Sequence, residues 1–244
     1  MTFRPNLPFT VGFAAGFVAF LSPIQAEIVY DNTTNSRTNA FSPNSQFHDS
    51  VVRTFGDEVN LAGVSRTVTQ FVIGYVGDFA ALNSSDKLTV KFYANDGVNY
   101  SGPNTERPST LLWQSDPFQL ANGANQLTFA VPNILVPTRF TWTVEFDGTT
   151  GVAGDNAGLI FSDPATVGAV LNNGKLGSYN DIWILTDPSK ADSWALFTNL
   201  KDAQGNSLPA NFFARVVAVP EPSTWALAAL GGGLLWLAGR QRRG

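Results

Sequence analysis

A strict two-residue alternation of apolar and polar side chains recurs along the middle of this chain, and it leaves little choice of fold. In Phe140-Thr141-Trp142-Thr143-Val144-Glu145-Phe146 the apolar set is 140, 142, 144 and 146, and Thr141, Thr143 and Glu145 point the other way. Successive side chains of a strand face opposite sides, so the pattern marks a half-buried strand. Lys87 to Ala94 repeats it, with Leu88, Val90, Phe92 and Ala94 inward and Lys87, Thr89 and Lys91 outward. Leu127, Phe129 and Val131 form another inner face, and so do Phe212, Ala214, Val216 and Ala218. Looser apolar runs fall at Val64 to Val76, Thr110 to Gln114, Gly158 to Ser162 and Ile182 to Thr186. Between the runs stand Asn95-Asp96-Gly97, Ala121-Asn122-Gly123, Phe146-Asp147-Gly148, Asn172-Asn173-Gly174 and Asp187-Pro188, residue types that tolerate the backbone of tight turns. Helical periodicity is missing, apart from one short turn expected in Asp192 to Lys201. Asn32 to Gln46 is polar and reads as a long loop or an ordered edge. The expectation is an all-β fold: a two-layer antiparallel β-sandwich, jelly-roll-like, between an N-terminal signal helix and a C-terminal transmembrane helix.

Composition removes whole classes of chemistry. With no cysteine, the chain cannot build disulfides, thiolate zinc sites or a cysteine nucleophile. One histidine, His48, excludes multi-histidine metal centres. The net charge of −4 provides no cationic face for phosphates, so nucleic acid is not an expected partner.

The two ends differ from the middle. Residues 1–26 carry one positive side chain, Arg4, then an apolar run from Phe9 to Leu21, then Ser22-Pro23-Ile24-Gln25-Ala26. Thirteen apolar residues make a helix of about 20 Å, too short for a hydrocarbon core of about 30 Å. The three parts form the plan of a secretory signal peptide, with Ala26 as the cleavage residue and the Sec translocon and signal peptidase as partners. At the other end, Pro220-Glu221-Pro222 precedes an uncharged run from Trp225 to Gly239 and then Arg240-Gln241-Arg242-Arg243. Prolines on both sides of Glu221 can neither continue a strand nor sit inside a helix, so the segment is an extended elbow. The run behind it is a marginal membrane span, and the arginines stay on the cytoplasmic side. An ordinary single-pass anchor would be longer and would need no charge between two prolines.

This order of proline–glutamate–proline, apolar helix and terminal arginines resembles the PEP-CTERM protein-sorting signal. The resemblance implies an exported protein whose precursor sits in the inner membrane through its C-terminal helix. Exosortase, a membrane protease, would process it for the cell surface or extracellular matrix. By position, Pro220, Glu221 and Pro222 would be the recognition residues, and Arg240, Arg242 and Arg243 the basic stop-transfer tail. The chain then divides into a leader (1–26), a β-sandwich ectodomain (27–219) and a sorting signal (220–244). The ectodomain carries 11 basic and 18 acidic residues, a net charge of −7.

Within the ectodomain the signals for catalysis are thin. His48, Asp49 and Ser50 are adjacent, and neighbours in a strand point apart, so they cannot form a relay. No enzymatic activity and no cofactor is expected. The oxygen-rich loops leave room for a structural calcium, with Asp147 and Asp155 as candidate ligands. Trp183 and Trp194 lie near turns, where an exposed ring would stack on a sugar face. The reading is a non-enzymatic surface or matrix protein associated with exopolysaccharide. The alternatives are a carbohydrate-binding module using exposed aromatics and a secreted hydrolase using loop carboxylates.

Overall fold

The computed structural model describes residues 25–42, 54–101, 105–201 and 205–221. It places thirteen strands in two antiparallel sheets, and no helix occurs among the described residues. The strands are β1 (Glu27–Asp31), β2 (Ser36–Phe41), β3 (Thr54–Asn60), β4 (Thr67–Phe79), β5 (Lys87–Ala94), β6 (Leu111–Gln114), β7 (Phe118–Gln119), β8 (Gly123–Leu135), β9 (Arg139–Asp147), β10 (Asp155–Ser162), β11 (Asp181–Leu185), β12 (Trp194–Thr198) and β13 (Ala214–Val219). One sheet runs β1-β13-β4-β10-β2, with β8 on the other side of β4. The second runs β12-β11-β3-β9-β5-β6, with β7 also on β5. The chain changes sheet at most connections, which is jelly-roll-like wiring of a sandwich.

The thirteen-residue β4 organises the first sheet. One side pairs with β8 along its length. The other pairs with β13 over Thr67–Ile73 and with β10 over Tyr75–Phe79. At the handover, the Gly74 N–H donates to the Phe213 carbonyl at 3.1 Å.

Alternation put the expected residues inside. Phe140, Trp142, Val144, Leu88, Val90, Phe92, Phe212, Ala214, Val216 and Ala218 are all buried in the main core. Rings from the two sheets meet there: Phe71 on Phe92 and Trp142, and Phe212 against Phe41, Phe55, Trp142 and Phe161. Most of these pairs are edge-on or tilted, the arrangements that ring quadrupoles favour. The turn glycines also behave as their neighbours imply: Gly123 and Gly148 adopt φ of 81° and 80°, where a side chain would be strained.

Of the two expectations for Asn32 to Gln46, the ordered edge holds: it contains the edge strand β2, whose polar Ser36, Thr38 and Asn39 hide it from a hydrophobicity pattern. Two other readings change. The short turn expected in Asp192 to Lys201 is instead β12, held as strand by its full register with β11. β3 went unread because Gly56-Asp57-Glu58 interrupts the apolar alternation between Phe55 and Val59. Gly56 is there for close approach: a Cβ would lie 2.0 Å from the Trp142 carbonyl oxygen. Gly56→Ala is therefore expected to cost several kcal/mol, and Phe212→Ala about 3–5 kcal/mol, both read as lowered urea midpoints of the folded chain.

Candidate functional site

The two ends of the ectodomain lie side by side. β1 begins at Glu27 and β13 stops at Val219, and the strands pair antiparallel with Glu27 opposite Ala218 and Ile28 opposite Val217. Ala26 therefore leaves the sandwich next to Pro220. Ala26, Pro220 and Glu221 are exposed. Pro222, Arg240, Arg242 and Arg243, the apolar tail, the leader before Gln25, and His48 lie outside the described residues. Among the described residues no helix is long and apolar enough to cross a membrane. Proline at 220 has no N–H to extend the β1–β13 ladder, so the strand ends there for a covalent reason.

The tryptophans named from sequence are placed otherwise than expected. Trp183 is 1% exposed and Trp194 3% exposed, in a small cluster with Leu185, Tyr93 and Leu196 on the outer side of the second sheet. Trp194 packs on Tyr93 with ring centroids 5.4 Å apart, although four strand spacings, about 19 Å, separate β12 from β5. Trp183 in turn meets the Tyr100 ring of the β5–β6 connection at 6.0 Å, so tyrosines from elsewhere in the chain pack on both indoles. Neither ring is open for stacking on a sugar.

A different aromatic group is accessible. Trp113, Phe118 and Phe129 line an open cleft of about 450 Å³ between β6–β7 and β8, with Gln114, Asp116, Pro117 and Pro132. Phe118 is exposed, and Trp113 and Phe129 are half-buried. Ring faces beside amide and carboxylate groups suit a ligand with both apolar and hydroxyl faces. The sequence signal was the pair Trp113 and Phe118, five residues apart on either side of Asp116-Pro117.

The candidate calcium ligands sit at opposite ends of the β9–β10 connection. The Asp155 carboxylate is engaged within that loop, accepting from the Thr150 hydroxyl at 2.6 Å and the Thr150 N–H at 3.2 Å. Asp147 ends β9 opposite Lys87, and partial burial raises its pKa. Among the described residues no group of three or more acidic or histidine side chains could hold a metal ion.

Two further sets of acids are buried, built around Asp57 and Glu58, which no sequence pattern singles out. Asp57 points into the sandwich from β3, on the face shared with Phe55 and Val59. Its Oδ1 lies 2.7 Å from the Ser178 hydroxyl, which also lies 2.9 Å from Asn211 Oδ1 and 3.0 Å from the Tyr179 carbonyl. Asn211 is oriented by its amide donating to Asp163 and Asn180, so its oxygen faces Ser178. One hydroxyl proton cannot serve three acceptors. The arrangement closes if Asp57 is protonated and donates to Ser178, which then donates onward. Burial is the main cause that raises the Asp57 pKa, followed by relief from Ser178 and repulsion from Asp181; Tyr30 of β1 and Glu58 also adjoin it. On the opposite face of β3, the β3–β11 register places Glu58 across from Asp181. Burial raises Glu58 to about 7, against the pull of Arg139 3.7 Å away, and raises Asp181 to about 6.

A carboxyl whose folded-state pKa is raised binds its proton more tightly in the fold than in the unfolded chain. That stabilisation is complete below the unfolded value and is lost as pH rises through the folded one. For Glu58 the loss runs from 4.5 to about 7, and for Asp181 from 3.8 to about 6; Asp57 acts in the same direction. The urea midpoint should therefore be higher near about pH 5 than near about pH 8, and Glu58→Gln should shrink that difference. A midpoint that rises with pH across this window would contradict the assignment.

Comparison with known proteins bears on the C-terminal end alone. No curated protein and no solved structure matches the chain. Residues 218–243 match the family described as the PEP-CTERM protein-sorting motif. The chain thus carries, joined without a spacer to the last strand of a β-sandwich, the signal that addresses exported precursors to exosortase.

Proposed function

We propose that this is a non-enzymatic protein of the cell surface or extracellular matrix, sorted by exosortase and associated with exopolysaccharide. The match at 218–243 carries the reading, because it turns the sandwich into cargo displayed beyond the membrane. In this reading the leader directs export through the Sec translocon and signal peptidase cuts after Ala26. The apolar tail and its arginines halt translocation, and the elbow holds Glu221 at the outer interface for cleavage. The reading of no enzymatic activity draws support from two acids whose pKa values are raised: Asp57 and Glu58, on opposite faces of β3, are both buried. A hydrolase working through the loop carboxylates, Asp147, Asp155, Asp163, Asp181 and Asp187, is the weaker reading, as is a bound calcium at Asp147 and Asp155.

Polysaccharide contact is assigned to the Trp113 cleft in place of Trp183 and Trp194, because it is there that rings and unengaged polar groups share one accessible surface. In a pull-down on host exopolysaccharide, Trp113→Ala should weaken retention by up to about tenfold, the value of one aromatic stacking contact. Retention unchanged by that substitution, or lost in Trp183→Phe alone, would reject the cleft.

For sorting, Glu221→Ala or deletion of Arg240 to Arg243 should leave full-length chain in the membrane fraction of the native host. Normal maturation of both variants on an immunoblot would overturn the proposed processing.

A further inference from the structure

The end of the sandwich from which Pro220 emerges carries exposed aliphatic side chains. The register puts Val219 opposite Thr67, and Thr67 opposite Leu135, so Leu135 lies two strands, about 10 Å, from the exit of the tail. Leu135 is 57% exposed. The β3–β4 loop, residues 61–66, folds against the same end: Ala62 donates to the Val29 carbonyl, and Val136 donates to the Arg66 carbonyl. Arg66 fixes the loop by donating to the carbonyls of Ala62, Gly63 and Ser65 and to the Thr138 hydroxyl. The tip of that loop is Val64, 83% exposed, and Ile28, 44% exposed, follows the Glu27 whose carboxylate lies against Gly63. Isolated exposed aliphatics are ordinary, but here the topology gathers three around one chain exit.

Only Pro220 to Thr224 separate this end from the apolar run that starts at Trp225. Five residues span at most about 17 Å. If the run is in a bilayer, the sandwich end is held within that distance of the hydrocarbon, at an effective concentration where weak apolar contacts suffice. We infer that Val64, Leu135 and Ile28 form a membrane-docking tip that seats the folded domain on the lipid surface while the tail remains attached. The inference rests on the tail being membrane-inserted, as proposed above. Arg66, the cation of this loop, is turned onto the loop's own carbonyls, and Glu27 and Glu221 flank the tip, so its attraction is apolar burial and not charge pairing with anionic lipid.

The absence of cysteine allows a clean test on the full chain. Val64→Cys, Leu135→Cys and Val152→Cys are labelled one at a time with a small fluorophore, and the chain is reconstituted in phosphatidylcholine nanodiscs bearing nitroxide-headgroup lipid. Val152 is a fair control: it is 61% exposed and sits beside the far end of β4, about 40 Å from Thr67. Docking predicts at least about threefold more quenching at 64 and 135 than at 152. It also predicts that Val64→Asp reduces quenching at the 135 label to the level of 152, since tethering alone would be indifferent to that charge. Equal quenching at the three positions, or quenching at 135 untouched by Val64→Asp, overturns the docking tip while the chain still co-purifies with the discs. A chain that fails to co-purify overturns both the tip and the inserted tail.

Discussion

Ring packing across the gap between the sheets is the constraint on which the rest depends. Phe212, just before β13, touches Phe41 and Phe161 of its own sheet and Phe55 and Trp142 of the other. Because Phe212 precedes β13 by two residues, locking its ring also fixes where β13 lies against β4 and where the chain leaves at Val219. The position of the sorting signal is in this sense set by the core. A protein without disulfides, and with few charges, has little else to hold its sheets together.

A thick aromatic core also explains why acids can sit inside. An ionised Asp57 would cost several kcal/mol in such surroundings, but a neutral one can take its place in a hydrogen-bonded chain with Ser178 and Asn211. That chain reaches Asp163, which lies 3.9 Å from Lys175 near the surface. Within this chain the interior charge is removed by a proton and the outer charge is met by a cation. Glu58 follows the same logic on the outer face, where Arg139 and the Asn95 amide stand against it.

How much could be read in advance depended on what each strand touches. β9 was legible because it is central: its core-facing positions are Phe, Trp, Val and Phe, while Thr141 and Thr143 keep the other face polar although they too are buried. β2 is an edge and carries no such set. β3 carries Asp57 on the apolar face, an exception made acceptable by Ser178 and Asn211, which lie more than a hundred residues away. Trp183 and Trp194 were misjudged for a similar reason. Their burial is decided by Tyr93 and Tyr100, which pack on them from some eighty or more residues away in the chain. Trp113 is left half-open because β6 is short and lies at the border of its sheet.

Sequence alone determined the strand periodicity, the turns and the composite signal at the C-terminus, because each is written in residues that are close neighbours and act locally. Period-two burial, the missing N–H of Pro220 and the string of uncharged residues after Thr224 need no distant partner to have their effect. Tertiary structure decided which rings are hidden, where a carboxyl must keep its proton, and that Ala26 and Pro220 come out side by side. Those properties arise from contacts between residues far apart in the chain, and pairing energies of that kind exist only once the sheets have closed on one another.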